Sequence, residues 1–73
     1  MSIARVCDYI RRHEGKQIAV VAINRRPKCV AITYMRKIRH YMSRENAVLV
    51  GIYDSRVPEE WVEGDLKQAG VVA

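Results

Sequence analysis

The chain has 73 residues, 49% of them apolar, with thirteen Lys/Arg against eight Asp/Glu and a net charge of +5. That length allows one domain with a modest core, and the apolar fraction excludes a disordered chain. Two cysteines exclude a disulfide scaffold, no run approaches the roughly 18 apolar residues of a membrane span, and residues 1–14 lack a secretion-signal layout, so the expected setting is a reducing cytoplasm without membrane contact.

Residues 3–14, "IARVCDYIRRHE", carry Ile3, Val6, Cys7 and Ile10 within an arc of roughly 100° on a helical wheel, with Arg5, Asp8, Arg11 and Arg12 outside it. A helix is expected there, capped by Ser2 and stopped at Gly15. Residues 17–26 contain "IAVVAI", which is apolar on every side. Periodicity does not separate a buried strand from a buried helix in such a run. Val and Ile favour the strand, and the two alanines the helix. Pro27 ends the element, because Arg26 is pushed out of the helical region.

Residues 33–44, "TYMRKIRHYMSR", sort cleanly. Tyr34, Met35, Ile38, Tyr41 and Met42 share an arc of roughly 120°, and Thr33, Arg36, Lys37, Arg39, His40, Ser43 and Arg44 take the other side. As a strand the stretch would mix charge and grease on each face, so a two-faced helix is predicted, with Asn46 as a left-handed stop. Residues 47–53, "AVLVGIY", read as a strand. Val57–Val62 is either a second strand or a short helix from Pro58, with Trp61 as its anchor in the core. Residues 64–73 are expected to hold one turn and fray, giving a domain over 1–63 and a C-terminal tail over 64–73.

The charge is unevenly placed. Residues 1–44 hold eleven Lys/Arg against Asp8 and Glu14, a surplus of nine, while residues 45–73 hold Arg56 and Lys67 against six acids, a deficit of four. Eight of the eleven are arginines, the residue type that forks onto phosphate and guanine, so a nucleic-acid partner is expected. Thr33, Arg36, Lys37 and His40 lie at i, i+3, i+4 and i+7, where one face of a helix reaches base edges in a major groove. Arg36 is the first candidate for guanine. Arg25, Arg26, Lys28, Arg39 and Arg44 suit phosphates, which position without reading sequence.

The stretch "IAVVAINRRPKCVAITYMRKIRHYM", followed at once by "AVLVGIY", resembles a winged helix-turn-helix domain of the prokaryotic regulator type. Ala22, Thr33, Arg36 and Ile38 carry the likeness, which spans roughly residues 3 to 62. The turn "NRRPKCVA" is longer than that family's, and the second helix would lack a polar face. The resemblance implies an α+β, mostly helical domain of three helices and a small β-hairpin wing over 47–62, with Arg56 near the wing tip. It implies a double-stranded DNA-binding transcriptional regulator of bacterial or phage/plasmid origin, reading the major groove with helix 33–44. A small footprint favours a homodimer or a partner protein.

The alternative fold pairs "QIAVVAI" with "CVAITY" as a hairpin around "NRRPK", giving a helix with a three-stranded antiparallel sheet. The alternative function is a protein-interaction or RNA-binding accessory protein. Cys7, His13, Cys29 and His40 match no zinc spacing, so no metal or other cofactor is expected. No nucleophile motif, phosphate-cradling loop or carboxylate pair points to an enzyme.

Overall fold

The apolar run 18–23 is the centre of the molecule, and it is a strand. The computed structural model describes residues 1–72, in the order α1 (Ile3–Arg12), β1 (Ile18–Ile23), β2 (Arg26–Ala31), α2 (Met35–Met42), β3 (Ala47–Tyr53) and α3 (Glu59–Gln68). Among these residues there are three helices and one open antiparallel sheet of three strands, ordered β2-β1-β3, an α+β fold. No helix among them is long and apolar enough to cross a membrane.

All six residues of β1 are buried because both its faces and both its edges are covered. Ile18, Val20 and Ala22 point to one face and join Val6, Cys7 and Ile10 of α1, Val62 and Leu66 of α3, and Val71 in the main core. Ala19, Val21 and Ile23 point to the other face, where α2 lies over the β1–β3 pair. A central strand between two layers has no polar face, which explains a pattern that periodicity leaves open. Four of its six residues are β-branched, and the turn after it is two residues long. Asn24 (φ 51°) and Arg25 (φ 66°) both sit in the left-handed region, as a tight hairpin turn requires.

Of the strand and the helix left open for residues 17–26, the strand forms, so the helix that the winged helix-turn-helix resemblance requires there is missing. The antiparallel sheet follows the hairpin alternative instead, with Ile18 opposite Ala31 and Ile23 opposite Arg26. Pro27 is tolerated on β2 because that strand is an edge. There is no hairpin wing over 47–62 either: β3 pairs with β1, and the chain then turns into α3 after Pro58. The pairing carries one irregularity, since Val20 faces Gly51 and Val21 faces Leu49, leaving Val50 as an extra residue in a bulge.

The tail expected from residue 64 is likewise replaced. α3 runs through that boundary to Gln68, and Leu66 and Val71 are buried. Gly70 (φ 87°) closes the helix: its N–H donates to Lys67 O, and the Val71 N–H donates to Leu66 O, each at 3.0 Å. This double bond with an apolar contact across it is a Schellman closure. Trp61, expected as an anchor, is 64% exposed, and Val62 and Leu66 hold α3 in its place. α1 begins as expected, with the Arg5 N–H donating to Ser2 Oγ at 3.3 Å. Tyr53 closes the core at the end of β3, its Oη donating to Asp65 Oδ2 at 2.7 Å.

Candidate nucleic-acid interface

Between Glu14 and Asp54 the chain has a single acid, Glu45, against eight Lys/Arg. The fold gathers most of those cations on the α2 side of the sheet. Arg26 and Lys28 of β2 pair with Ile23 and Val21, so their side chains project to that side. On that side of β2 Val30 is buried, while Arg26 and Lys28 stay exposed. On the wheel Tyr41 lies on the flank of α2 toward β2, while Met35 and Met42 lie on the flank toward β3.

The result is a groove of about 490 Å³ lined by Ile23, Asn24, Arg26, Lys28, Tyr41 and Arg44. Its end is clamped: Asn46 Nδ2 donates to Asn24 Oδ1 at 2.8 Å, and the Asn24 N–H donates to Asn46 O at 3.2 Å. These bonds tie the β1–β2 turn to the start of β3, which fixes where Arg44 leaves α2. Tyr41 is half-buried, and Lys37 Nζ stands 5.9 Å from its ring centre. The four ion pairs among the described residues all lie elsewhere: Arg11–Glu59, Arg12–Asp8, Arg56–Asp54 and Lys67–Glu63. Arg26, Lys28, Arg36, Lys37, Arg39 and Arg44 thus keep uncompensated charge on one side of the domain.

The structure divides the sequence-predicted residues. Arg36, Lys37 and His40 are exposed on α2, but Thr33 is not on it; the helix starts at Met35 with Tyr34 at its N-cap. The expected row of four is a row of three, because the turn at Ile32–Thr33 takes up the change of direction from β2. The helix also ends at Met42, and Asn46 is not left-handed. Arg26, Lys28 and Arg44 converge in the groove. Arg25 does not: its stem lies against Gly70 on the α3 side, where a Cβ added to Gly70 would come 3.2 Å from Arg25 Cγ. Arg39 is exposed on the flank away from the groove. Arg56 sits at the far end of β3 and is held by Asp54, whose Oδ1 accepts its N–H at 2.9 Å and whose Oδ2 takes its guanidinium at 3.3 Å. These bonds, the backbone one first, hold the Asp54 carboxyl below its ordinary range.

Tyr41 and Asn46 are members of the site that sequence reasoning placed elsewhere, on the core face and at a helix stop. The signal for Tyr41 was on the wheel, where it borders Lys37 and Arg44 rather than the centre of the apolar arc. Burial disfavours the thiolate form at both cysteines. Burial pushes Cys29 up to about 11, and burial, followed by the Glu59 charge, raises Cys7. Among the described residues no three His, Cys, Asp or Glu side chains come together as a metal site. No family model, curated protein or solved structure matches the chain.

Proposed function

We propose that this protein binds nucleic acid through the β2-side flank and outer face of α2. The observation that carries this reading is the set of six Lys/Arg without acidic partners, three of them converging on one groove beside Tyr41. Duplex DNA is the expected ligand. Arg36, Lys37 and His40 stand on an exposed helix that buries no residue fully, so it projects far enough to enter a major groove. Arg26, Lys28 and Arg44 then take flanking phosphates. The winged helix-turn-helix form of this reading loses its supporting helix and its hairpin, so the proposal rests on α2 and the groove alone. Regulation of transcription in a bacterium, phage or plasmid is the cellular use it carries.

One observation favours a second reading. Tyr41 lies between cations in a groove wide enough for a nucleotide, an arrangement that suits single-stranded RNA or DNA stacked on an aromatic ring. Fluorescence anisotropy with labelled random duplex and single strands ranks the two. For four phosphate contacts, affinity for the true ligand falls about 100-fold between about 50 and about 200 mM salt. Arg36→Ala relaxes base preference on duplex, whereas Arg26→Ala weakens all sequences alike and flattens the salt slope. Absent or salt-insensitive binding to both ligands sinks the proposal.

A further inference from the structure

The opposite edge of the sheet carries a different surface. β3 pairs with β1 along one side only, and its sequence "AVLVGIY" has no charge and no proline. Natural edge strands are guarded by such residues. β2 follows the rule with Arg26, Pro27 and Lys28, and β3 does not. Its side chains are also open: Leu49 and Ile52 are 45% and 48% exposed, and Val48 is exposed beside them. Met35 and Met42, both exposed, lie on the flank of α2 opposite Tyr41, which faces β2, and so on the side toward β3. Trp61 and Ile52 line one shallow groove at its far end.

We propose that β3 is a self-association surface, pairing antiparallel with β3 of a second copy to make one six-stranded sheet. The bulge selects the register. Ile52 faces Ala19 and Leu49 faces Val21, so both side chains project to the α2 side although they are three residues apart. An antiparallel pair about the Val50–Gly51 peptide sets Leu49 opposite Ile52 of the second copy and Ile52 opposite its Leu49, all four on one face. The same register sets Val48 opposite Tyr53 on the other face. Pairing about Val50 itself would set Val48 opposite Ile52, which point to opposite faces.

The helices fit the same symmetry. The two-fold axis is normal to the sheet, so both copies of α2 lie on the same side. With strands about 4.8 Å apart and α2 midway over β1 and β3, the two helix axes come about 10 Å apart, the separation of packed helices. Their methionine flanks then meet above the Leu49–Ile52 pairs. Six side chains roughly half exposed amount to on the order of 500 Å² per copy. Two copies bury about twice that before the polar rim is added, close to the ~1,200 Å² at which stable interfaces begin. No charged side chain of β3 opposes the contact. Arg39, at its rim, repels its counterpart, so added salt tightens the dimer rather than dissolving it.

The test is the mass of the intact chain by light scattering or sedimentation from micromolar to millimolar concentration. The expected mass is twice 8.4 kDa, with β3 amides gaining protection from hydrogen exchange as concentration rises. L49K and I52E should each be monomeric, and an equimolar mixture should re-form a dimer. In the mixed pair the introduced ammonium faces the introduced carboxylate, while native Ile52 faces native Leu49. A wild-type monomer at all concentrations overturns the proposal. So does a dimer that L49K leaves intact, or two folded monomeric variants that fail to rescue one another. If a variant unfolds by circular dichroism, the wild-type mass and exchange data still decide.

Discussion

The two edges of one small sheet do opposite things with the same backbone. β2 presents Arg26, Pro27 and Lys28, which repel a neighbouring strand and add positive charge to the groove. β3 presents Val48, Leu49 and Ile52, which do neither. α2 sharpens the contrast because it stands between them, with Tyr41 and Lys37 toward one edge and Met35 and Met42 toward the other. An amphipathic helix is usually described by two faces, one wet and one buried. This one has no fully buried residue. Ile38 and Tyr41, both half-buried, hold it down, and it divides the surface into a cationic side and an apolar side.

The contrast breaks most sharply if the groove is discharged. The triple variant R26A/K28A/R44A should lose about 100-fold in affinity at low salt and reduce the salt slope by about three. R44A alone, which leaves Arg26 and Lys28 guarding β2, should match wild type in association state, as sedimentation would show. The next test makes the edges alike. R26V/K28V removes the guard from β2, so growth from both edges becomes open-ended, and assemblies larger than a dimer should appear in light scattering. Unchanged mass would mean that Pro27 alone protects the edge.

Smaller effects test the β3 side through its anchor. Tyr53→Phe removes the donor to Asp65 and should cost about 1–2 kcal/mol in urea unfolding. Burial first, and the Asp65 hydrogen bond second, hold the Tyr53 phenol well above its ordinary value of 10.0. A raised pKa on an acid favours its neutral form in the fold. The associated stability is therefore fully present below pH ~10 and declines as pH rises above it, because the unfolded chain ionises first. Unfolding series at rising pH should show that decline in wild type and less of it in Tyr53→Phe. The smallest effect belongs to the exposed pairs: R12A, which removes the 3.1 Å contact to Asp8, should change stability by no more than about 0.5 kcal/mol.

Much of the molecule was legible in its residues, and the failures have physical causes. α1 and α2 announce themselves because each carries a contrast between faces that one period explains, and β3 because it is a short Val/Ile-rich run bounded by turn residues. β1 does not, since a strand covered on both sides has no contrast to show. The hairpin turn hides for a related reason: Asn24 suits a left-handed position, but Arg25 is an unusual occupant of the second one. α3 is obscured by Gly64 in its middle and by an inward stripe reduced to Val62 and Leu66. Its end was readable, since a glycine followed by Val71, with Leu66 five residues earlier, is the pattern of a Schellman closure. Trp61 misled because large aromatics are usually mostly buried. For the candidate site, charge asymmetry pointed to the half of the chain that holds Arg26, Lys28 and Arg44, which line the groove. It could not tell which flank of α2 they would meet, because that depends on the order of the strands.

The same strand order dictates when each part of the chain can assemble. β1 and β2 meet across two residues, so their contacts form with almost no loop to close. β3 reaches β1 only after the chain has crossed the sheet as α2, and the Ile18–Tyr53 pair spans 35 positions (53 less 18). The hairpin should therefore be structured early and β3 should dock late. Conservative substitutions at Val21 or Val30 should slow folding, and those at Val50 should mainly hasten unfolding, in stopped-flow chevrons. Equal φ-values across the sheet would refute that sequence of events. During the interval before docking, the exposed side of β1 is a seat for any copy of β3, its own or a neighbour's, and dilution decides which one takes it.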